Sequence, residues 1–275
     1  MKDMLKCKIG VLLIATSRFR NLGSETPEGS YGERKQIEAQ DYINSINTYS
    51  EVVYTGPVYD RQDLEKAMNA FGAEKVDCVF ALFLSWAEDF AWIRFLRDMY
   101  PVPVIFACRA YDHIKFNNTN AETDFVEFLS SGGLVGALEA SGSVKRFNRP
   151  MMISVIGTFD EIVEKTRNFA QAAAVRTCLL TSSFGLLPSY NEVMWSTYID
   201  PYNLFMKAGP ELRFISVSTL VKEIENTDYK KVKEVCGILS SKYKMLPDVD
   251  LTKFEASVRA SLAMEAVSRK AGINL

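Results

Sequence analysis

Residues 8–16, KIGVLLIAT, form an apolar run too continuous for a strand with one wet face; it suits a parallel strand covered on both sides. EVVYTGPV (51–58), VDCVFALFL (76–84) and PVPVIFACR (101–109) are further strand candidates, the last entered through two prolines. Between them the pattern changes to helical spacing. ERKQIEAQDYINSINTY (33–49) places Ile37, Tyr42 and Ile46 on an expected buried face, and DRQDLEKAMNAFGAE (60–74) opens on an acidic cap and closes near Gly72. AEDFAWIRFLRDMY (87–100) is a third helix, and TDFVEFLSSGGLVGALEASG (123–142) is one or two helices broken at Gly132-Gly133. The polar stretch 18–32 is long for a strand-to-helix connection.

This alternation predicts a doubly wound α/β domain over residues 1–148. A second unit, 149–275, is expected to open on the strand PMMISVIG (150–157) and continue with the helix TFDEIVEKTRNFAQAAAV (158–175). TCLLTSSF (177–184) and ELRFISVS (211–218) are its further strands and NLFMKAG (203–209) a short helix. Helices broken near Asp228 come next. The tail is one amphipathic helix with Phe254, Val258, Leu262 and Ala266 in register, free to cross back to the first unit. The expected fold class is therefore α/β: two consecutive Rossmann-like or flavodoxin-like doubly wound domains with mostly parallel sheets.

Charge changes the picture by exclusion. Lys+Arg 32 against Asp+Glu 34 gives a net charge of -2, which favours neither nucleic acid nor an anionic membrane as partner. No run approaches 18 uninterrupted apolar residues, and no small-residue cleavage site follows the first apolar segment. The five cysteines are odd in number, form no Cys-x-x-Cys pair and sit mostly in apolar runs, as buried thiols of a reducing compartment do. A cytoplasmic protein acting on small molecules or protein surfaces is expected.

His113 is the single histidine, so a histidine-rich metal site is not expected, and its place in RAYDHIKFNN favours a surface loop residue over a functional one. No phosphate-binding glycine loop follows the first strand, and no Gly-x-Ser-x-Gly elbow occurs. What remains is a set of polar and aromatic residues just after the strands: Arg18, Arg20, Ser85, Trp86, Arg109 and Asp112, with the segment 182–190. Arginine donors beside a flat aromatic face suit a sugar, whose hydroxyls need many hydrogen bonds and whose C–H faces pack on rings. The competing assignment packs Trp86 and Trp92 between helix and sheet and pairs the arginines with acids such as Glu25, Glu28 and Asp112.

GVLLIATSRFRNLG followed by YGERKQIEA, the stretch DCVFALFLSWAEDFAWIRFLRDMYPVPVIFACR, then RAYD, LSSGGLVGALEASG, RPMMISVIG and LLTSSFGLLPSY resemble, in that order, segments of the fucose/arabinose isomerase family. The resemblance implies that Arg18 or Arg20 reaches a sugar in an adjoining subunit of a homo-oligomer and that Trp86 borders the substrate. In that family two acids and a histidine on a divalent metal, usually manganese, lie beyond the second α/β domain. This chain is expected to end before them, to hold no cofactor of its own, and to shape the substrate site without isomerising sugar alone. A two-lobed sugar-binding or sensing module is the alternative. A structural assembly subunit is a third.

Overall fold

The structure is a computed structural model that describes residues 6–114, 116–118, 120–188 and 193–273. Its first unit alternates strand and helix: β1 (Lys8–Ile14), α1 (Tyr31–Asn47), β2 (Glu51–Val53), α2 (Arg61–Glu74), β3 (Cys78–Phe83), α3 (Phe90–Asp98) and β4 (Val104–Arg109). Then come α4 (Glu122–Ser130), α5 (Gly133–Phe147), β5 (Met152–Gly157) and α6 (Phe159–Leu180). The five strands form one parallel sheet in the order β2-β1-β3-β4-β5, the doubly wound arrangement expected from the pattern.

Alternation along the strands divides the core into two layers. Leu12, Val79, Ala81, Phe83 and Phe106 meet Phe71 of α2, Trp92 and Phe95 of α3 and Ala140 of α5. Val11, Leu13, Phe80, Leu82 and Ile105 meet Tyr42 of α1, Val126 of α4 and Ala170 of α6 on the other side. Helix starts are chemically marked. Ser30 and Glu33 close a capping box on α1, and Asp60 caps α2 through the amides of Gln62 and Asp63.

Several expectations need correction. The strand assigned to open a second domain is β5, paired with β4 in the first sheet, so the chain divides into Met1–Val175 and Arg176–Leu275, not at residue 148. Residues 177–180 continue α6, and the strand β6 is only Ser183–Leu186, because the alanine-rich 170–174 carries helix past the point where the apolar run suggests strand. On α1 the inward face is Tyr31, Lys35, Ala39, Tyr42 and Ile46, while Ile37 is 62 % exposed. Five residues separate Ile37 from Tyr42, about 140° out of phase on a 3.6-residue helix. Finally, the second unit shows less sheet among the described residues than two doubly wound domains would lead one to expect. Among the described residues it has one parallel pair, β6 with β7 (Glu211–Phe214), and the helices α7 (Pro201–Ala208), α8 (Val217–Asn226), α9 (Tyr229–Lys242) and α10 (Leu251–Lys270).

α10 packs on α8 and α9 within its own unit, burying Val258, Ala263 and Val267, so the inward stripe lies one residue beyond the expected Leu262 and Ala266. Asp200, Ser216, Asp228 and Asp250 cap the four helices of this unit. No helix of the described residues is long and apolar enough to cross a membrane.

Two glycines of α5 allow an unusually close approach between helix and strand in the first unit. A Cβ on Gly133 would lie 2.8 Å from the Phe83 carbonyl oxygen, and one on Gly136 would lie 2.8 Å from the Phe83 ring and 3.0 Å from the Ser85 carbonyl oxygen. Their lack of a side chain lets α5 rest directly on the end of β3. Gly142, farther along α5, has no atom within 4 Å of such a Cβ. Gly133→Ala is therefore expected to destabilise by about 1–3 kcal/mol through overpacking against backbone. Gly142→Ala is expected to stabilise by about 0.5–1 kcal/mol. Urea-unfolding midpoints of the two variants check both signs.

Candidate functional site

Ligands of open α/β sheets sit at the carboxyl ends of the strands, where the order reverses, here between β1 and β3. The turn after β1 and the turn after β3 are stitched together at that point. Thr16 Oγ1 donates to Glu88 at 3.0 Å, Arg18 pairs with the other Glu88 oxygen at 2.7 Å, and the Arg18 guanidinium lies 5.6 Å from the centre of the Trp86 ring. Phe19 contacts both Tyr31 and Trp86. Beneath them Ser85, fully buried, is hydrogen-bonded to the Tyr31 hydroxyl and donates to the Trp86 carbonyl. Burial pushes the Tyr31 phenol up to about 12, its hydrogen bond to Ser85 opposing the rise.

A second cluster joins α1 to the end of β4. Lys35, 2 % exposed, donates to Glu38 at 2.7 Å and to the Ser130 carbonyl at 2.5 Å. Glu38 also accepts from Arg109 at 2.9 Å and from the Tyr111 hydroxyl at 2.8 Å. The Arg109 guanidinium lies 4.5 Å from the centre of the Tyr111 ring and 5.5 Å from that of Phe159. Burial acts to raise the Glu38 carboxyl, but the Lys35 charge and the bonds from Lys35, Tyr111 and Arg109 outweigh it and hold the group below its ordinary value.

A hollow of about 300 Å³ opens over this cluster, and two larger ones flank it at the same edge of the sheet. The larger of these two, about 580 Å³, lies beside the starts of α1 and α2 and is walled by Arg20, Asn21, Gln36, Thr55, Tyr59 and Asp63 among others. The Arg20 guanidinium lies over the Tyr59 ring, 4.9 Å from its centre. Its guanidinium and the side chains of Asn21, Gln36 and Thr55 have no hydrogen-bond partner among the described residues. The smaller, about 420 Å³, is walled mainly by apolar side chains, with Trp86 and Arg109 in its lining.

The six residues expected to meet in one crevice are thus divided. Arg20 lines the polar hollow, while Trp86 and Arg109 line the apolar one. Ser85 is buried, and Arg18 is engaged with Glu88. Asp112 is exposed and lines none of the three hollows. His113 is an exposed loop residue whose ring contacts the Asp112 carbonyl. Trp92 packs between α3 and the sheet; Trp86, half-buried, donates its indole N–H to Glu139 at 3.0 Å. Of the segment 182–190, residues 183–186 are β6, and Ser189 and Tyr190 lie outside the described residues.

Lys35, Glu38 and Gln36 escape notice in the sequence because they stand in the polar run ERKQIEAQ, where charge suggests a solvated face. The available signal is the spacing of Lys35 four residues from both Tyr31 and Ala39. No protein-family model matches this chain, and no curated protein does. Among the described residues no three His, Cys, Asp or Glu side chains converge as metal ligands.

Removing Glu38 leaves Lys35 and Arg109 as buried or half-buried cations without their shared carboxylate, so Glu38→Gln is expected to cost about 3–5 kcal/mol. Lys35→Met, which leaves Glu38 bonded to Arg109 and Tyr111, is expected to cost less. Because the folded carboxyl is depressed, its contribution is present above the ordinary carboxylate value and is lost as pH falls through the folded one. Denaturant unfolding tracked from neutral to acid pH is expected to show the gap between Glu38→Gln and the parent protein narrowing.

Proposed function

We propose that this chain binds a sugar in the polar hollow beside Arg20, as a substrate-shaping part of a protein of the fucose/arabinose isomerase type. The observation that carries this is the wall itself. A hollow of about 580 Å³, within the roughly 300–1,000 Å³ range of small-molecule sites, presents a guanidinium, two carboxamides and a hydroxyl that have no partner among the described residues. A molecule with hydroxyls on most of its carbons is the ligand that satisfies such a wall, since each hydroxyl both donates and accepts. Arg20, on the turn after β1, is also one of the two positions from which the resemblance implies an arginine reaching a sugar, there one bound in an adjoining subunit. The homo-oligomeric assembly implied by the resemblance, and the cytoplasmic setting expected from the cysteine pattern, belong to the same proposal.

A second form of this reading is binding without turnover by this chain. It is favoured by the engagement of the nearby acids: Glu33 holds the Ser30 cap, and Asp63 accepts from the Tyr59 amide at 3.1 Å. Proton transfer between adjacent sugar carbons needs a carboxylate within reach of the substrate and able to change protonation. These two already serve the backbone.

Thermal-shift titration with pentoses, hexoses and deoxyhexoses, with and without manganese, tests the proposal. Sugar alone is expected to raise the melting temperature in proportion to the logarithm of its concentration above its Kd. Arg20→Ala and Gln36→Ala, both surface changes, are expected to abolish that rise and leave the unliganded melting temperature unaltered. No response to any sugar, a response undiminished by either substitution, or one that strictly requires manganese defeats it.

A further inference from the structure

The apolar hollow has a chemistry unlike that of its polar neighbour. Five separate elements supply its wall: Trp86 from the turn after β3, Ile114 from the loop after β4, Phe128 from α4, Val135 from α5 and Ile156 from β5. These residues are not surplus core facing water singly. Val135 is 50 % exposed and Ile156 67 %, and they face a common concavity of about 420 Å³. Contiguous apolar surface held in a concave site marks a place that something apolar covers.

The hollow also has one charged corner. Arg109 uses Nη1 on Glu38, and among the described residues its guanidinium makes no other hydrogen bond. Glu38 is shared with the buried Lys35, so two cations divide one carboxylate. Glu127, also near Lys35, pairs with Arg34 at 3.2 Å, and Glu28 lies 3.8 Å from the same guanidinium. What is left over where Arg109 enters the hollow is therefore hydrogen-bonding capacity: only Nη1 is taken, and the side chain remains 28 % exposed. α5 begins on the same wall: Gly132, which lines the hollow, is its N-cap and has no side chain to satisfy the first-turn amides.

We propose that this hollow binds a small amphiphilic organic acid, an aromatic or branched aliphatic body carrying one carboxylate. The body packs on Trp86, Phe128, Val135 and Ile156, and the carboxylate meets Arg109 and the start of α5. A neutral apolar molecule would leave the guanidinium unanswered, and a compact inorganic anion would leave the apolar wall in water. The site is independent of the sugar proposal, with which it shares no lining residue.

Calorimetric titration of the full chain with indole-3-acetate and with its neutral counterpart indole-3-ethanol tests this. The acid is expected to bind about tenfold or more tightly than the alcohol, the effect of hydrogen bonding to a charged group. Val135→Glu, at an exposed position that need not disturb folding, is expected to weaken the acid by at least a similar factor. Arg109→Gln is expected to remove most of the acid's advantage over the alcohol. Equal binding of acid and alcohol by the parent protein, binding of neither, or undiminished binding by Val135→Glu overturns the proposal. So does light scattering that shows self-association of the parent protein abolished by Val135→Glu, because the wall would then be an interface between copies.

Discussion

A lysine ammonium with almost no access to water holds three pieces of the first unit in place. Lys35 comes from α1, its partner carbonyl Ser130 from the last turn of α4, and its partner carboxylate Glu38 from the next turn of α1, which in turn receives Arg109 from the end of β4. A charge so buried is tolerable only while its hydrogen bonds are complete, so the geometry of these elements is set within narrow bounds. The turn after β4 then has to place Tyr111 over Arg109, and α4 has to end where its carbonyl can be reached. Both larger hollows inherit their walls from that arrangement: Gln36 lies between Lys35 and Ile37 on α1, and Arg109 is the polar corner of the apolar site.

The second constraint is steric. α5 touches β3 through glycine, and that contact turns Leu134 and Val135, the two residues between Gly133 and Gly136, away from the sheet. The segment GGLVG has the look of a phosphate loop in the wrong place. Its glycines instead serve close packing of a helix on a strand end, and the apolar residues between them become wall. Apolar exposure here is a result of the packing of α5 on β3.

Much of the first unit was legible because continuous apolar runs and capped, periodic helices are consequences of burial that the sequence carries locally. The order of β1 to β4 and the break at Gly132-Gly133 arise from such signals. What was not legible depends on pairing between distant residues. Nothing in PMMISVIG says which sheet receives it; β5 belongs to the first because its backbone completes the ladder of β4. Ile37 and Lys35 exchange their expected places because a charge can be buried when a carboxylate and a carbonyl meet it, and those partners are visible only in three dimensions. The candidate site was legible as an edge and not as a crevice. Arg20, Trp86 and Arg109 do stand at strand ends, yet Ser85 is buried beneath the surface and Arg18 is engaged with Glu88.

The wall of Ile114, Phe128, Val135 and Ile156 also bears on how the folded state would be recognised in solution. Environment-sensitive dyes that brighten on apolar surface are commonly taken as markers of loosened tertiary packing. A native molecule with a preformed, half-open apolar hollow beside a guanidinium offers anionic dyes of that type a saturable site. Fluorescence enhancement from this protein at low dye concentration would thus report an intact sheet edge, and its disappearance, not its onset, would mark the loss of structure there.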